Sequence, residues 1–178
     1  MTKVIVQALV IIALPTFVFI GGNWLMTEIS GREPPAEQTP LGFRFGYDAD
    51  DARNHWKAFG DTALRAEQRF LELDLVYPFL YGGALAFSLF IAWTSLGRPF
   101  NSLWLVAPSL IMVFADWTEN VAQLHEMKRF INNPATTLNP DWIRIASVAT
   151  TLKLAFVAGV SLFLISLVVV MICRSLRS

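Results

Sequence analysis

The chain has 178 residues, of which 54% are hydrophobic and only 16% are charged, and its mean hydropathy is +0.49. Such a composition excludes an ordinary soluble domain, since soluble domains carry about 25% charged residues. The formal net charge is zero, so no basic surface argues for binding to nucleic acid. We therefore expect residues 1–178 to form a single membrane domain.

Four stretches are long and apolar enough to cross a hydrocarbon core about 30 Å thick, which requires about 20 residues of helix. They cover residues 4–26, 71–96, 103–127 and 143–173. The expected fold class is all-α: a polytopic membrane protein with a four-transmembrane-helix bundle and a long, partly helical first extracytoplasmic connection over residues 27–70. The first stretch ends without a small-x-small cleavage site, so we interpret it as a retained helix and not as a signal peptide.

Basic residues in the short flanks predict the orientation, because cytoplasmic loops carry an excess of Lys and Arg. The N-terminus, the second connection and the C-terminus must share one side, and they carry Lys3, Arg98, Arg174 and Arg177. The third connection carries the pair Lys128–Arg129, which argues mildly in the opposite direction. The prediction is a multi-pass protein of the cell inner (plasma) membrane with both termini in the cytoplasm.

The first connection contains both irregular and helical signals. Its prolines disfavour regular helix over residues 27–47, and Asp48 is typical of a helix N-cap. A long helix is expected to run from Asp61 into the second span. Pro78 should kink that helix and free the carbonyl group of Asp74 for another partner.

The third stretch contains polar side chains within a predicted span. Asp116, Glu119, Asn120 and Gln123 are three or four residues apart, so they share one face of a helix. Each ionisable side chain at the centre of a span costs roughly 2.5–3.5 kcal/mol on insertion scales, and such residues usually face the bundle interior. This face is the strongest functional signal in the sequence.

Polar residues of the second and fourth stretches are predicted to lie at the same depth, in the outer half of the bundle. This follows from a rise of about 1.5 Å per helical residue. The expected ion pair joins Asp116 and Lys153. The predicted ligand-binding residues are Asp74, Tyr77, Tyr81, Asp116, Glu119, Asn120, Thr150 and Lys153.

The charges of this set do not balance, because three carboxyl groups face one lysine. Carboxylates without a counter-charge are unfavourable in a low dielectric. At least one carboxyl group should therefore be protonated, or paired with a bound cation or an arginine. The candidate arginines are Arg65, Arg69 and Arg144.

No metal site and no cofactor is expected. The two histidines, His55 and His125, do not form a His-x-x-x-His pair, and motifs for zinc, haem or di-iron are lacking. No phosphate-binding loop or nucleophile elbow is present. His125 and Glu126 are interpreted as a surface pair.

The leading hypothesis for function is binding of a small amphipathic or lipid-like ligand in a polar cavity with aromatic walls. One alternative is a structural or accessory subunit of a membrane complex, in which the charged cluster holds the helices together. Another is a proton- or ion-coupled transporter, since buried carboxylates and lysine are typical of proton relays, and no catalytic residue is assigned. The expected partners are the lipid bilayer, such a ligand and other membrane subunits.

Four sequence segments carry a resemblance to known proteins. They are Phe45-Gly46-Tyr47-Asp48, Leu73-Asp74-Leu75-Val76-Tyr77-Pro78-Phe79-Leu80-Tyr81, Asp116-Trp117-Thr118-Glu119-Asn120 and Ser147-x-x-Thr150-Thr151-x-Lys153. This pattern resembles a group of uncharacterised bacterial four-helix integral membrane proteins, which implies the fold but no activity. The layout of the spans is also similar to the emopamil-binding and sigma-2 receptor family, which binds or isomerises sterols. This resemblance implies a sterol-isomerase-like membrane enzyme as a further alternative. That family places an acidic residue on its first helix, and residues 4–25 here contain none.

Overall fold

The computed structural model describes residues 2–33, 39–98 and 103–177. Over these residues the chain is entirely helical, which confirms the predicted all-α class. The helices are α1 (Thr2–Ser30), α2 (Ala49–Lys57), α3 (Asp61–Leu73), α4 (Tyr77–Ser95), α5 (Ala107–Asn132) and α6 (Pro140–Arg177). Single turns of 3-10 helix cover Leu41–Phe43 and Leu103–Leu105.

Within the part of the chain that the structure describes, three helices are long and apolar enough to cross a membrane: Lys3–Ser30 within α1, Tyr77–Ser95 (α4) and Pro140–Arg177 (α6). The predicted third span corresponds to α5, which has 26 residues but is less apolar. Its charged residues are Asp116, Glu119, Glu126, Lys128 and Arg129. The two acidic residues in its middle are buried inside the protein, as expected for a helix that turns a polar face inward.

The first helix is longer than predicted. Residues 27–30 were expected to be irregular, but α1 continues to Ser30 and ends at Gly31, whose positive φ of 68° suits a glycine. Asn23 therefore lies within α1, where its carbonyl oxygen accepts a hydrogen bond from the Thr27 hydroxyl group. Two of the three prolines that motivated the irregular prediction, Pro34 and Pro35, lie outside the described residues, and the third, Pro40, directly precedes the 3-10 turn Leu41–Phe43.

The predicted second span is interrupted and not merely kinked. A turn over residues 74–76 separates α3 from α4. Pro78 has no N–H group, so it cannot bond the carbonyl group of Asp74. That carbonyl oxygen instead accepts a hydrogen bond of 2.9 Å from the side-chain Nδ2 of Asn120, which confirms that it is free for another partner.

The predicted cap of α2 is confirmed. The Asp48 carboxylate accepts hydrogen bonds from the backbone N–H groups of Asp50 and Asp51, and the Asp51 side chain accepts one from Asp48 N. This is a capping box, which satisfies N–H groups that the helix leaves unpaired. α2 buries Trp56 against Phe130 of α5, with ring centroids 5.9 Å apart.

Two hydrophobic clusters hold the helices together. One cluster joins α1, α4 and α6 and includes Ile11, Leu89 and Leu164. The other joins the first connection to α5 and α6 and includes Trp56 and Met127. Of the predicted site residues, Tyr77 and Tyr81 belong to the first cluster.

Glycine permits close helix contact between α4 and α5. A Cβ atom on Gly82 of α4 would lie 2.2 Å from Val113 Cγ2 of α5, so only glycine fits there without rearrangement. Gly83 and Gly159 have open space around the equivalent position among the described residues. Helix α4 therefore approaches α5 through Gly82.

Candidate functional site

Lys153 of α6 lies at the centre of the polar cluster. Its Nζ atom is 2.9 Å from Asp116 Oδ1 and 2.6 Å from Glu119 Oε2, both on α5. The predicted ion pair between Asp116 and Lys153 is confirmed, and Glu119 shares the same ammonium group. Over the described residues, none of the three candidate arginines forms an ion pair with these carboxylates.

Neutral side chains complete the hydrogen bonding of the two carboxylates. The Tyr81 hydroxyl of α4 donates a bond of 2.5 Å to Asp116 Oδ2. Gln123 Nε2 donates to Glu119 Oε1 at 3.0 Å and to the Tyr47 hydroxyl oxygen at 2.9 Å. Hydrogen bonds to charged groups are about twice as strong as neutral ones, so this network fixes α4, α5 and α6 relative to one another.

Asp74 lies beside this network without a cationic partner of its own. Its carboxyl group interacts with the Asn120 side chain and lies within electrostatic range of Asp116 and Lys153. No ion pair of Asp74 with a lysine or arginine is present over the described residues. It is half-buried at the turn between α3 and α4.

These groups line a cavity of about 320 Å³. Seven of the eight predicted ligand-binding residues lie on its wall: Asp74, Tyr77, Tyr81, Asp116, Glu119, Asn120 and Lys153. The exception is Thr150, which is fully buried behind the wall, where its hydroxyl group donates to the carbonyl oxygen of Ala146 at 2.9 Å. Thr150 therefore supports the site without reaching the cavity.

The first connection covers the cavity. A Cβ atom on Gly42 would lie 3.0 Å from Glu119 Oε1 and 3.5 Å from Lys153 Nζ, so the turn Leu41–Phe43 lies directly against the ion cluster. Tyr47 is anchored beside it, since its backbone N–H donates to Ser147 Oγ at 2.9 Å. Burial raises the pKa of the Tyr47 hydroxyl above its usual value, which keeps this residue neutral.

A buried ion pair forms another part of the cavity wall. Arg32 Nη2 donates to Glu67 Oε1 at 2.8 Å, and its Nε atom donates to Glu67 Oε2. The guanidinium group also lies 4.1 Å from the ring centroid of Phe70, which is a cation–π contact. This pair attaches the end of α1 to α3.

Sequence patterns did not predict the roles of Arg32, Glu67, Gly42 or Tyr47. Arg32, Gly42 and Tyr47 lie in irregular parts of the first connection, where no helical periodicity relates them to the site. Two local signals were present: Glu67 lies seven residues before Asp74 on the predicted helix, and Tyr47 is adjacent to the predicted N-cap Asp48.

A second cavity of about 310 Å³ lies between α1, α4 and α6. Phe19, Tyr81 and Val157 line both cavities, so the two are neighbours along the bundle. The walls of the second cavity are almost entirely apolar, with Thr16 and Ser161 as the exceptions. A polar compartment thus adjoins an apolar one.

The interpretation of His125 and Glu126 as a surface pair is only half correct. His125 is exposed and stacks on Trp142 with ring centroids 4.8 Å apart. The Glu126 side chain is completely buried, and it accepts hydrogen bonds from Arg129 Nη1 at 2.8 Å and from the backbone N–H of Asn139 at 2.7 Å. Its partners make it a structural group that fixes the loop before α6.

The chemistry of the site is that of a polar pocket with aromatic walls. Over the described part of the chain, no group of three His, Cys, Asp or Glu side chains is placed to hold a metal ion. The arrangement offers carboxylate acceptors, an amide and two tyrosine rings to a small molecule.

Comparison of the chain with protein-family models, with curated proteins and with solved structures found no match.

Proposed function

We propose that this protein binds a small amphipathic or lipid-like ligand in the cavity of about 320 Å³ formed by Asp74, Asp116, Lys153 and their neighbours. The observation that carries the proposal is that polar side chains from α3, α4, α5 and the first half of α6 line one space instead of filling it. Small-molecule sites are typically cavities of roughly 300–1,000 Å³ with a few convergent polar groups.

The combination of surfaces supports an amphipathic ligand over a fully polar one. The cavity lining combines polar groups with the apolar surface of Phe19, Tyr77 and Val157. The neighbouring apolar cavity begins at Phe19, Tyr81 and Val157. A molecule with a polar head and an apolar body fits both surfaces.

The proposed setting is the cell inner membrane, with four spans and both termini in the cytoplasm. α5 serves as the additional span because its polar face is buried, with Asp116 and Glu119 only 3% and 1% exposed. Arg174 Nη1 donates to the carbonyl oxygen of Leu96 at 3.2 Å, so the C-terminal end of α6 lies beside that of α4. The cluster around Lys153 would then belong to the extracytoplasmic half.

The second candidate function is a scaffold or accessory subunit, in which the charged cluster only joins the helices. One observation favours it: Tyr81, Asp116 and Lys153 form a continuous chain of bonds across α4, α5 and α6. Interhelical polar contacts of this kind are worth about 0.6–2 kcal/mol in membranes.

The variant Asp116→Asn separates the two candidates. Asparagine has nearly the same shape, can still accept the Tyr81 hydrogen bond, and leaves Lys153 paired with Glu119 alone. A binding site should keep its thermal stability in detergent, or gain stability, while native mass spectrometry shows loss of a co-purifying small molecule. Glu28→Gln, an exposed change at the end of α1, is the matched control for removing one acidic charge.

A scaffold predicts the reverse result. Asp116→Asn would then lower the melting temperature clearly more than Glu28→Gln does, and the wild-type protein would carry no bound molecule. That pair of results would overturn the binding proposal.

A further inference from the structure

The cavity has an excess of negative charge. Three carboxyl groups and one ammonium group face it, which gives a formal charge of −2: Asp74, Asp116, Glu119 and Lys153. The Arg32–Glu67 pair on the same wall adds no net charge. An anionic ligand head would add to this excess, whereas a cationic one would reduce it.

Asp74 carries the carboxyl group that a cationic head group of a ligand would contact. Lys153 already contacts Asp116 at 2.9 Å and Glu119 at 2.6 Å, and the Tyr81 hydroxyl takes the second oxygen of Asp116. Asp74 has only the Asn120 amide as a side-chain partner over the described residues. A half-buried carboxylate without a counter-charge is unfavourable, so a positive charge supplied by a ligand is favourable there.

The adjoining apolar cavity provides a place for a hydrocarbon chain. It extends from Phe19 and Tyr81 along α1 and α6, past Ile12 and Ser161, to Leu164 and Ile165. Its volume of about 310 Å³ is similar to that of the polar cavity. Burial of apolar surface contributes roughly 25 cal/mol per Å², so this space favours a chain over a compact head alone.

We propose that the ligand is an amphiphile with a positively charged nitrogen head at Asp74 and a hydrocarbon chain between α1, α4 and α6. The inference rests on the binding function proposed above and specifies the ligand class. The tyrosine rings of Tyr77 and Tyr81, which flank the polar cavity, add faces suited to a cation.

The test uses probes with the same twelve-carbon chain and different heads: dodecylammonium, 1-dodecanol and dodecyl phosphate. Thermal unfolding of the full-length protein in lipid nanodiscs is followed at probe concentrations below micelle formation, because a ligand bound to the folded state raises the melting temperature. We expect dodecylammonium to bind at least tenfold more tightly than 1-dodecanol, and dodecyl phosphate to bind most weakly. Butylammonium, which has the head without the long chain, should give no shift at the same concentrations.

Two variants test the two parts of the site separately. Asp74→Asn keeps the backbone carbonyl that bonds Asn120, and it should abolish the preference for dodecylammonium over 1-dodecanol. Ser161→Phe places a ring in the apolar cavity and should weaken both long-chain probes at least tenfold. Ser166→Phe is the matched control, since Ser166 lies on the same helix and is exposed.

Each part of the proposal can fail by itself. If 1-dodecanol binds wild-type protein as tightly as dodecylammonium does, the inferred charge preference is wrong, although amphiphile binding stands. If Ser161→Phe and Ser166→Phe bind the probes equally, the chain does not lie between α1 and α6. If no probe shifts the melting temperature, the proposed binding function itself fails.

Discussion

Gly42 places the first connection directly against the ion pair of Glu119 and Lys153. An alanine there would place its Cβ atom 3.0 Å from Glu119 Oε1, closer than most real contacts. Overpacking a tight site costs about 1–3 kcal/mol. We therefore expect Gly42→Ala to lower the melting temperature and to weaken ligand binding together, because the turn must lift away from Glu119.

The measurement is thermal unfolding of Gly42→Ala with and without ligand, compared with the double variant Gly42→Ala/Glu119→Asp. Shortening the acidic side chain by one methylene group gives the new methyl group room, so part of the lost stability should return. Wild-type stability and binding in Gly42→Ala would contradict the observed position of this turn.

His55 on α2 makes the stability of the connection sensitive to pH. Burial and the nearby Arg44 guanidinium lower the pKa of His55 from 6.5 to about 4. The unfolded chain binds a proton at His55 below about pH 6.5, whereas the folded protein does not until about pH 4. The contribution of the neutral imidazole to the free energy of unfolding is therefore complete above pH 6.5, and it is lost as pH falls towards 4.

The variant His55→Gln isolates this effect from the titration of carboxylates. Melting temperatures measured from pH 4 to pH 7 should rise more steeply for wild type than for His55→Gln between pH 4 and 6.5. Each pH unit in that window corresponds to at most about 1.4 kcal/mol. Parallel pH profiles would show that His55 keeps an ordinary pKa in the folded protein.

Individual residues of the site were predictable where helical spacing and charge both applied. Asp116, Glu119 and Lys153 were found because ionisable groups in apolar helices are costly and must meet a partner. The expected ion pair joined Lys153 to Asp116, whereas Lys153 also contacts Glu119 at 2.6 Å. Spacing could not show this, because it fixes the face of a helix but not the side-chain rotamers. Arg32 and Tyr47 lie in irregular segments, and the path of such segments depends on tertiary contacts that no local sequence pattern encodes.

At the level of the helices, the close contact between α4 and α5 depends on one glycine of a neighbouring pair. A methyl group at Gly82 would lie 2.2 Å from Val113 Cγ2, while Gly83 faces open space. We expect Gly82→Ala to destabilise the protein by about 1–3 kcal/mol through overpacking. Gly83→Ala should instead be neutral or stabilise the protein by up to about 1 kcal/mol, because alanine favours helix.

Thermal unfolding of both single variants tests this contrast, since each replaces the same residue type one position apart. The double variant Gly82→Ala/Val113→Ala should recover most of the loss, because it removes the clashing methyl group. Equal effects of Gly82→Ala and Gly83→Ala would mean that α4 and α5 are not in close contact here.

The helix pattern was predictable because apolar length and proline positions are strong local signals. All four apolar stretches are largely helical, and the capping box of α2 begins at the predicted Asp48. The break at residues 74–76 was predicted only as a kink. Proline removes a hydrogen bond in either case, and whether the helix bends or stops depends on partners such as Asn120.

At the scale of the whole molecule, the topology depends on whether α5 crosses the membrane. Three helices qualify as spans by length and apolar character, and α5 does not. Yet α5 has 26 residues, roughly 39 Å at about 1.5 Å per residue, and its polar face is turned towards α4 and α6. With four spans, the connections before and after α5 lie on opposite sides; with three, they lie on the same side.

Cysteine labelling distinguishes these two topologies. The native Cys173 is exposed and would be replaced by serine, and single cysteines would then be introduced at Ser95 and at Ala135. Both positions are exposed, and they lie at the end of α4 and in the loop after α5. In intact spheroplasts, a membrane-impermeant maleimide should label Ala135→Cys at once, and Ser95→Cys only after permeabilisation. Labelling of both variants from outside would show that α5 lies along the bundle without crossing, and the site around Lys153 would then need a different depth in the membrane.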